Sequence, residues 1–342
     1  MMNKSDAVWS LKGVTFLGRT RPRLNSVSLD IPSGVTAVMG SSGAGKSSLL
    51  GLLTDFEKPD TGDIKFQSPN SSVSLPLFWS PQDHGLWPHL NVAQHVDYVF
   101  PEKPKLERST SAWLDLFGLD ELREALPESL SQGERSRLAV VRALASEASV
   151  LVLDEPLVHV DAMLANRCWQ ILEDHIQTCC SAVVFSTHDP DAVLKYAQNV
   201  ICLAAGVVEF SGMVETLYRD PPSKELAWLL GPCNWLDKDA FKADADLSLS
   251  GGESNCVRPS QLELRKDSNG QFVVAAILRG AATFELRLRS LNSESMTGIF
   301  LSQLNADIVV GDNVQLVVDK AFKRSGKLPA HGNVSLSYRR LT

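Results

Sequence analysis

The sequence lacks the features that would place it across a membrane or in an oxidising compartment. No apolar run approaches the roughly 18–20 residues that a helix needs to cross a bilayer. The first residues lead into no apolar core of the kind found in signal peptides. The six cysteines contain no C-x-x-C spacing, which favours reduced thiols in a cytosolic protein over a zinc or disulfide framework.

The chain also lacks an excess of positive charge. Its 342 residues carry a formal net charge of −7, so no general attraction to nucleic acid is expected, and we predict no nucleic-acid partner. Hydrophobic residues make up 44% of the chain and charged residues 21%, which is ordinary for a globular protein. The length allows one large domain or two ordinary ones.

Against this ordinary background, residues 40–47 form a complete phosphate-binding loop of the pattern G-x-x-x-x-G-K-[ST], known as a Walker A motif. An apolar strand-like run, 35–39, precedes the loop and a helix-like stretch, 48–53, follows it. Backbone N–H groups of such a loop point at phosphate oxygens, and the helix start adds its dipole. Lys46 would reach the β- and γ-phosphates of ATP, and the Ser47 hydroxyl would ligate Mg²⁺. The predicted nucleotide-binding residues of this segment are Gly40, Ser41, Ser42, Gly43, Ala44, Gly45, Lys46, Ser47 and Ser48.

A second chemical motif is the apolar run Val150–Leu153, which ends in Asp154 and Glu155. In an open parallel sheet, the C-terminal ends of the strands line the ligand crevice. Asp154 is therefore placed to hold Mg²⁺ through water, and Glu155 to polarise the water that attacks the γ-phosphate.

The order of apolar segments predicts an α/β domain followed by a smaller β domain. Strand-like runs at 8–16, 24–31, 63–66, 75–80, 150–153 and 182–186 alternate with helix-like segments, mainly at 91–147 and 161–177. Strands that alternate with helices around a phosphate loop indicate a mostly parallel sheet. From about residue 253 the pattern changes to short alternating segments, at 257–264, 272–278, 283–288, 298–301 and 313–319, which predict a β-barrel-like domain.

Several further motifs occur in one order along the first 230 residues, and together they resemble the nucleotide-binding subunit of ABC transporters. Gln82 after a strand is similar to the Q-loop, and Leu130–Glu134 is similar to the signature motif. Asp161 lies six residues after Glu155, as a D-loop aspartate does in the family. His188 ends the next strand and resembles the H-switch that senses the γ-phosphate.

The resemblance implies a P-loop ATPase cassette that binds ATP and Mg²⁺ and works as a head-to-tail homodimer. Each ATP would contact the phosphate loop of one subunit and Ser131 and Gly133 of the other, where the helix near Glu134 begins. It also implies that Gln82, Glu155 and His188 act in hydrolysis, that Gln82 contacts the metal, and that Asp161 belongs to the nucleotide site.

Three departures from the family pattern accompany this resemblance. The signature reads Leu-Ser-Gln-Gly-Glu, so Glu134 brings an anion close to a triphosphate. The D-loop reads Leu-Val-His-Val-Asp over 157–161, with bulky residues where the family is smaller and polar. The aromatic residue that stacks on adenine usually directly precedes a glycine; here Leu17 has that place, and Phe16 is the candidate, with core packing as the alternative.

The end of the chain resembles importer-type subunits. Gly231–Leu236 and Cys256–Leu262 are similar to segments that precede and begin the accessory TOBE-like β domain of such subunits. The predicted boundaries are an ATPase domain over 1–230 with a helical subdomain near 91–147, a linker over 231–252, and the TOBE-like domain over 253–342. An exporter subunit and a soluble ABC ATPase of DNA repair or translation are the alternatives; those classes usually lack this β domain or carry two cassettes.

An importer subunit would lie peripherally on the cytoplasmic face of the cell membrane. Its partners would be a second copy of itself, the transmembrane permeases and, indirectly, a solute-binding protein. We expect the permeases to dock near Gln82–Val92, because Leu86–Leu90 is an apolar, aromatic stretch within a loop. The alternative is that Trp87 and Leu90 pack inward.

Overall fold

The computed structural model describes residues 7–69, 75–235, 256–280, 283–291 and 296–318. Contacts divide the chain between Val214 and Glu215 into two compact units. The sequence instead begins the second domain at 253, and most of the expected linker lies outside the described residues. Residues 215–235 group with the second unit, so the boundaries drawn from the sequence stay a prediction.

The first unit begins with a three-stranded antiparallel sheet in the order β2-β1-β4. Its strands are β1 (Ala7–Leu17), β2 (Pro22–Pro32) and β4 (Thr61–Phe66). Alternate residues of β1 and β2, among them Trp9, Val14 and Ile31, are fully buried. This alternation is the pattern of a sheet that covers a core with one face.

The main sheet has six strands in the order β5-β6-β7-β3-β8-β9, with only β9 antiparallel to its neighbour. They are β3 (Gly34–Met39), β5 (Leu77–Ser80), β6 (Val150–Asp154), β7 (Ala182–Ser186), β8 (Asn199–Ala204) and β9 (Val207–Met213). Every residue of β6 and β7 is buried, as expected of parallel strands covered on both faces.

Helices follow the strands and fill the region between β5 and β6. The helices of the first unit are α1 (Lys46–Leu53), α2 (Val92–Asp97), α3 (Thr110–Leu116), α4 (Gln132–Ala145), α5 (Ala162–Thr178) and α6 (Pro190–Tyr196). Two 3₁₀ turns, Asp120–Leu122 and Pro127–Ser129, lie between α3 and α4. No helix among the described residues is long and apolar enough to span a membrane.

The second unit contains two short helices and two antiparallel sheets. Helix α7 (Val214–Arg219) bridges the division, and α8 (Lys224–Leu229) follows it. Strands β10 (Asn234–Trp235) and β11 (Cys256–Val257) form a pair. The other sheet has the order β12-β16-β13-β14-β15, from β12 (Leu262–Lys266), β13 (Phe272–Arg279), β14 (Phe284–Ser290), β15 (Met296–Leu301) and β16 (Asn313–Val318).

The expected strand over 257–264 is not continuous. Pro259 opens a 3₁₀ turn, Pro259–Gln261, because proline has no N–H for a ladder and the turn carries the chain from one sheet to the other. Arg258 just before it is buried, and its guanidinium donates to the carbonyls of Tyr218 and Ala227. The predicted fold class, an α/β cassette with a mostly parallel sheet and a C-terminal β domain, is confirmed.

Candidate functional site

Four neighbouring strands of the main sheet, β5, β6, β7 and β3, end at the same edge. Gln82 follows β5, Asp154 and Glu155 stand at the end of β6, His188 follows β7, and the phosphate loop follows β3. These groups are far apart in the sequence and become neighbours only through the strand order. The sheet thus brings the predicted catalytic, metal and phosphate-binding residues together, as the carboxyl edge of a parallel sheet should.

The phosphate loop leaves β3 and enters α1 through Gly45, whose φ is +108°. A Cβ at this position would lie 2.5 Å from the carbonyl oxygen of Arg23 in β2, so only glycine allows this close approach. The tight entry leaves the first backbone N–H groups of α1 directed into the loop, as an anion site requires.

Lys46, the first residue of α1, is only 7% exposed. Its Nζ donates to the carbonyl oxygens of Gly40, at 3.0 Å, and Ser41, at 3.3 Å. Burial lowers the pKa of Lys46, while the nearby carboxylates of Glu155 and Asp154 oppose that shift. The loop therefore holds the ammonium group in place through its own carbonyls.

Ser186 at the end of β7 joins the two carboxylate residues of β6. Its hydroxyl donates to Oδ1 of Asp154 at 2.5 Å and accepts the N–H of Glu155 at 2.8 Å. The sequence alone pointed to no role for Ser186, although it stands two residues before His188. A polar residue that ends an otherwise apolar buried strand was the available signal.

Glu155 adopts a left-handed conformation, with φ +52°, immediately after β6. Such a backbone is uncommon for a residue other than glycine and is often found at functional sites. Oε1 of Glu155 lies 2.8 Å from Nε2 of His188, and Oε2 accepts from the Gln82 amide at 3.3 Å. Glu155 therefore contacts both of the other residues predicted to act in hydrolysis.

Nε2 of His188 also lies 3.0 Å from Nζ of Lys46. This nitrogen carries either a proton, which it can donate to Glu155, or a lone pair, which can accept from Lys46. In any one protonation state only one of the two contacts is a hydrogen bond. Nε2 of His188 therefore has two alternative hydrogen-bond partners, Lys46 and Glu155.

A cavity of about 680 Å³ adjoins this edge, and Ser47, Gln82 and Asp154 all line it. Hydroxyl, amide and carboxylate oxygens are the hard ligands that Mg²⁺ prefers, and one or two carboxylates plus substrate phosphates usually suffice for it. Asp154 is buried, and its Oδ1 accepts a hydrogen bond from the Ser186 hydroxyl. The described residues contain no cluster of three or more His, Cys, Asp or Glu side chains that would hold a metal alone.

The signature motif lies at the start of α4, and Ser131 and Glu134 within it are hydrogen-bonded to each other. The Ser131 hydroxyl accepts the N–H of Glu134, and the Glu134 carboxylate accepts the N–H of Ser131 at 2.7 Å. These bonds form a capping box and lower the pKa of Glu134, which stays ionised. The N-terminus of α4 thus presents its dipole together with a fixed negative charge.

The D-loop packs on the signature motif of the same chain. A Cβ on Gly133 would lie 2.7 Å from the carbonyl oxygen of His159, so any side chain here would displace the D-loop. Asp161 caps α5, because its carboxylate accepts the N–H of Leu164 at 3.0 Å. Of the bulky D-loop residues, Leu157 is buried and Val158 is exposed.

Phe16, the adenine-stacking candidate, packs against the core of the first unit. The guanidinium carbon of Arg23 lies 5.6 Å from its ring centre, so a cation covers one face. Its neighbour Leu17, in the place the family gives to the aromatic residue, is exposed. The role of Phe16 stays a prediction.

We call residues 82–92 the docking loop, after the permease contact expected there. Trp87 is 41% exposed and stacks on His95 with 5.7 Å between ring centres. Leu90 is buried, so of the apolar residues over 86–90 expected to form an outward patch, this one packs inward, as the alternative expected. It does so because the loop runs into α2, which begins at the buried Val92.

Comparisons with known proteins agree with this geometry. A family model described as "ABC transporter" matches residues 24–158. The chain is 31% identical over 293 residues to a sulfate/thiosulfate import ATP-binding protein of Mesorhizobium japonicum, covering 78% of this chain and 85% of that one. It is 33% identical over 304 residues to the protein of that name in Burkholderia mallei, with the same coverage of 78% and 85%.

Solved structures resemble the first unit in fold. A dimeric post-hydrolysis structure of the ATP-binding cassette MJ0796 with ADP and phosphate matches with a TM-score of 0.52 and 24% identity, covering 60% of this chain and 98% of that one. An ATP-binding subunit of an ABC transporter matches with a TM-score of 0.54 and 18% identity, covering 62% and 92%.

Proposed function

The chain belongs to the family of ABC transporter ATP-binding subunits of the importer type, and we propose that the residues at its main sheet edge bind and hydrolyse ATP as follows. It is an ATPase whose hydrolysis powers import, rather than an exporter subunit or a soluble ATPase of DNA repair or translation. The roles rest on one observation: Glu155 contacts both His188 and Gln82, and His188 also contacts Lys46.

Lys46 and the loop amides hold the β- and γ-phosphates, because the ammonium group is fixed by Gly40 and Ser41 before any nucleotide arrives. Glu155 accepts the proton of the attacking water. Its backbone N–H donates to the Ser186 hydroxyl, and this bond fixes the backbone position from which the Glu155 side chain extends. Gln82 and His188 orient that carboxylate through their contacts with it. His188 also senses the γ-phosphate.

Ser47, Asp154 and Gln82 would hold Mg²⁺, since all three line one cavity and offer oxygen ligands. When bound with ATP, the ion would neutralise phosphate charge that develops during transfer. The protein's own contribution is to orient Asp154 through the hydrogen bond that the Ser186 hydroxyl donates to it.

A second copy of the chain completes the site. Ser131 and Gly133, with the N-terminus of α4, supply donors and a helix dipole to the γ-phosphate held by the partner. Binding of ATP closes this head-to-tail dimer and hydrolysis reopens it. Two observations support this proposal. Ser131 is hydrogen-bonded to Glu134 of its own helix, and it lies exposed at the start of that helix, where a partner can reach it.

Permease subunits dock on the docking loop and on the adjoining cavity wall. Trp87 is half exposed there, and the cavity carries an aromatic pair, Phe56 and Trp79, with 4.7 Å between ring centres. An apolar cleft rimmed by polar groups suits an amphipathic helix of a membrane partner. The subunit would then lie peripherally on the cytoplasmic face of the membrane, and a solute-binding protein would deliver solute to those permeases.

The similar proteins named above are sulfate/thiosulfate import proteins, and we take these sulfur oxyanions as the solute. Deleting this chain should abolish uptake of radiolabelled sulfate or thiosulfate, and the wild-type chain, but not its Glu155→Gln variant, should restore uptake. Normal uptake in the deletion strain would assign another solute.

Two substitutions test the assigned chemistry. Glu155→Gln should keep ATP binding and lower turnover by about a thousandfold or more, because hydrolysis loses its proton acceptor while the phosphate loop is intact. Lys46→Ala should instead abolish tight ATP binding. Titration with a fluorescent ATP analogue and phosphate release separate the two effects; near-normal turnover in Glu155→Gln would remove Glu155 from catalysis.

A further inference from the structure

The hairpin that joins β1 to β2 lies beside the phosphate loop. The carbonyl oxygen of Arg23 approaches Gly45 closely, as described above. In addition, the N–H of Asn25 donates to the carbonyl oxygen of Gly206 at 2.8 Å, and the N–H of Gly206 donates to that of Ala44 at 3.0 Å. These contacts fix the beginning of β2, and the hairpin turn just before it, at one side of the loop.

Arg21 is the last residue of that turn, directly before Pro22 begins β2. Its carbonyl oxygen accepts the N–H of Gly18 at 3.0 Å, which closes the turn and fixes the backbone of Arg21. Its side chain is exposed and extends to the phosphate loop, where Nη2 lies 3.9 Å from the place that a Cβ on Gly43 would occupy. A guanidinium therefore lies next to the loop that is predicted to hold the phosphates.

The guanidinium of Arg21 has no hydrogen-bond or ion-pair partner among the residues that the structure describes. Arg23, two positions later, is engaged: its Nη1 lies 3.7 Å from Oε1 of Glu57, and its guanidinium covers one face of the Phe16 ring. Arginine presents its N–H donors in a planar fork that matches two oxygens of one phosphate group. The unpaired Arg21 can therefore receive the anion that the neighbouring loop binds.

The base end of the predicted nucleotide site lacks a ring at the usual place. Leu17 stands where the family pattern has an aromatic residue, and its side chain is 55% exposed. An aliphatic side chain has no π-face on which adenine could stack, so this position adds little affinity for the base. A contact between the hairpin and the phosphates would supply affinity from the same hairpin by another group.

We propose that Arg21 is a nucleotide-binding residue, whose guanidinium donates to phosphate oxygens of ATP from the side of the β1–β2 hairpin. Lys46 holds the phosphates from inside the loop, where the carboxylates of Glu155 and Asp154 offset part of its charge. Arg21 adds a cation with no such carboxylate beside it. This role rests on the proposed binding of ATP at the phosphate loop, and it makes affinity depend on the triphosphate more than on the base.

The experiment measures two affinities, for ATP and for inorganic tripolyphosphate, by competition with a fluorescent ATP analogue. It uses the full chain with Glu155→Gln, at protein concentrations where light scattering gives the mass of one chain. Arg21→Gln removes the charge and keeps a long polar side chain, whereas Arg21→Lys keeps the charge and loses the fork. Arg19→Gln is the matched control, because Arg19 is exposed in the same turn and carries the same charge.

We expect Arg21→Gln to weaken ATP binding about three- to tenfold, the effect of losing one charge-assisted hydrogen bond at an exposed site. Tripolyphosphate should lose affinity by the same factor, because the contact is to phosphate. Arg21→Lys should lose less, and Arg19→Gln should stay within about twofold of the parent. The melting temperature of all three variants should equal that of the parent, since both arginine side chains are exposed.

Three results would overturn the role of Arg21. Parent-like ATP affinity in Arg21→Gln would show that no contact forms, and an equal loss in Arg19→Gln would replace the contact by the general charge of the hairpin. A loss for ATP without a loss for tripolyphosphate would move the contact to the ribose or base. If the parent binds no ATP, or Lys46→Ala binds it as tightly, the proposed nucleotide site itself fails, so the two failures are distinguishable.

Discussion

His175 in α5 is a buried titratable residue that the site does not use. Neither ring nitrogen has a hydrogen-bond partner among the described residues, and the ring meets Trp113 edge-on with 5.9 Å between ring centres. Burial lowers the pKa of His175 from 6.5 to about 4, and Arg108 and Lys105 add to the shift. The unfolded chain therefore binds this proton more readily than the folded chain.

His175 is neutral in both the folded and the unfolded chain above pH 6.5, so it does not lower the free energy of unfolding there. As the pH falls from 6.5 toward 4, the unfolded chain takes up the proton first, and the free energy of unfolding falls by about 3 kcal/mol. His175→Leu should remove that part of the acid sensitivity and leave stability at pH 7 equal or higher, because two unpaired nitrogens disappear. Urea denaturation at pH 7 and pH 5 measures this, with His89→Leu as the exposed-histidine control. Unchanged acid sensitivity in His175→Leu would show that other groups dominate.

Glu134 is the residue of the signature motif whose charge differs most from the family pattern. Glu134→Gln keeps the capping box, since glutamine can occupy that position, and removes the anion near the partner's phosphate. In the Glu155→Gln background the ATP concentration for dimerisation should fall about fivefold, the effect of one like-charge pair of about 1 kcal/mol. The exposed Glu128→Gln is the control. An unchanged or higher ATP requirement would mean that the carboxylate lies too far from the phosphate.

At this scale the sequence predicted the phosphate loop and the two carboxylates that end β6, because the spacing of each motif follows from the chemistry it serves; the roles of these residues stay predictions. It could not predict the contacts of Ser186, because they come from neighbours in space. The Ser186 hydroxyl meets Asp154 across 32 positions of the chain.

The docking loop contains a tryptophan, Trp87, that is partly exposed to solvent and partly packed against its neighbours. Trp87 is half exposed yet stacks on His95 and Arg142, whereas Trp113 in α3 is 1% exposed. Trp87→Ala should cost about 1–2 kcal/mol of stability through the lost ring contacts, and Trp113→Ala about 3–5 kcal/mol. Trp87→Ala should keep the ATPase activity of the isolated subunit and weaken co-purification with the permeases.

Thermal denaturation and co-purification of the two tryptophan variants check this prediction. A stability loss in Trp87→Ala as large as that in Trp113→Ala would assign Trp87 to the core and withdraw it from the permease interface. Unaltered co-purification with a small stability loss would place the interface elsewhere on the first unit.

Elements were predictable where one hydrophobic pattern runs without interruption. The apolar run that ends at Asp154 forms β6. The segment after Asp161, whose apolar residues have helical spacing, forms α5. The expected strand over 257–264 was wrong in its continuity, because Pro259 forces a turn that local alternation of apolar residues does not reveal.

On the scale of the whole molecule, the strand order decides whether the motifs become one site. The sequence places Gln82, Glu155 and His188 after three different strands, but only the order β5-β6-β7-β3 makes those strands neighbours. That order depends on how the crossover helices pack, and no single segment encodes it.

We expect ATP to join two copies of this chain and Glu155 then to hydrolyse it. Light scattering of the Glu155→Gln variant, with and without ATP, measures the mass in solution that decides this. We expect the mass of one chain, 37.4 kDa, without nucleotide and twice that mass with ATP, and a return to one chain when Lys46→Ala is added. A mass of one chain at saturating ATP would contradict it.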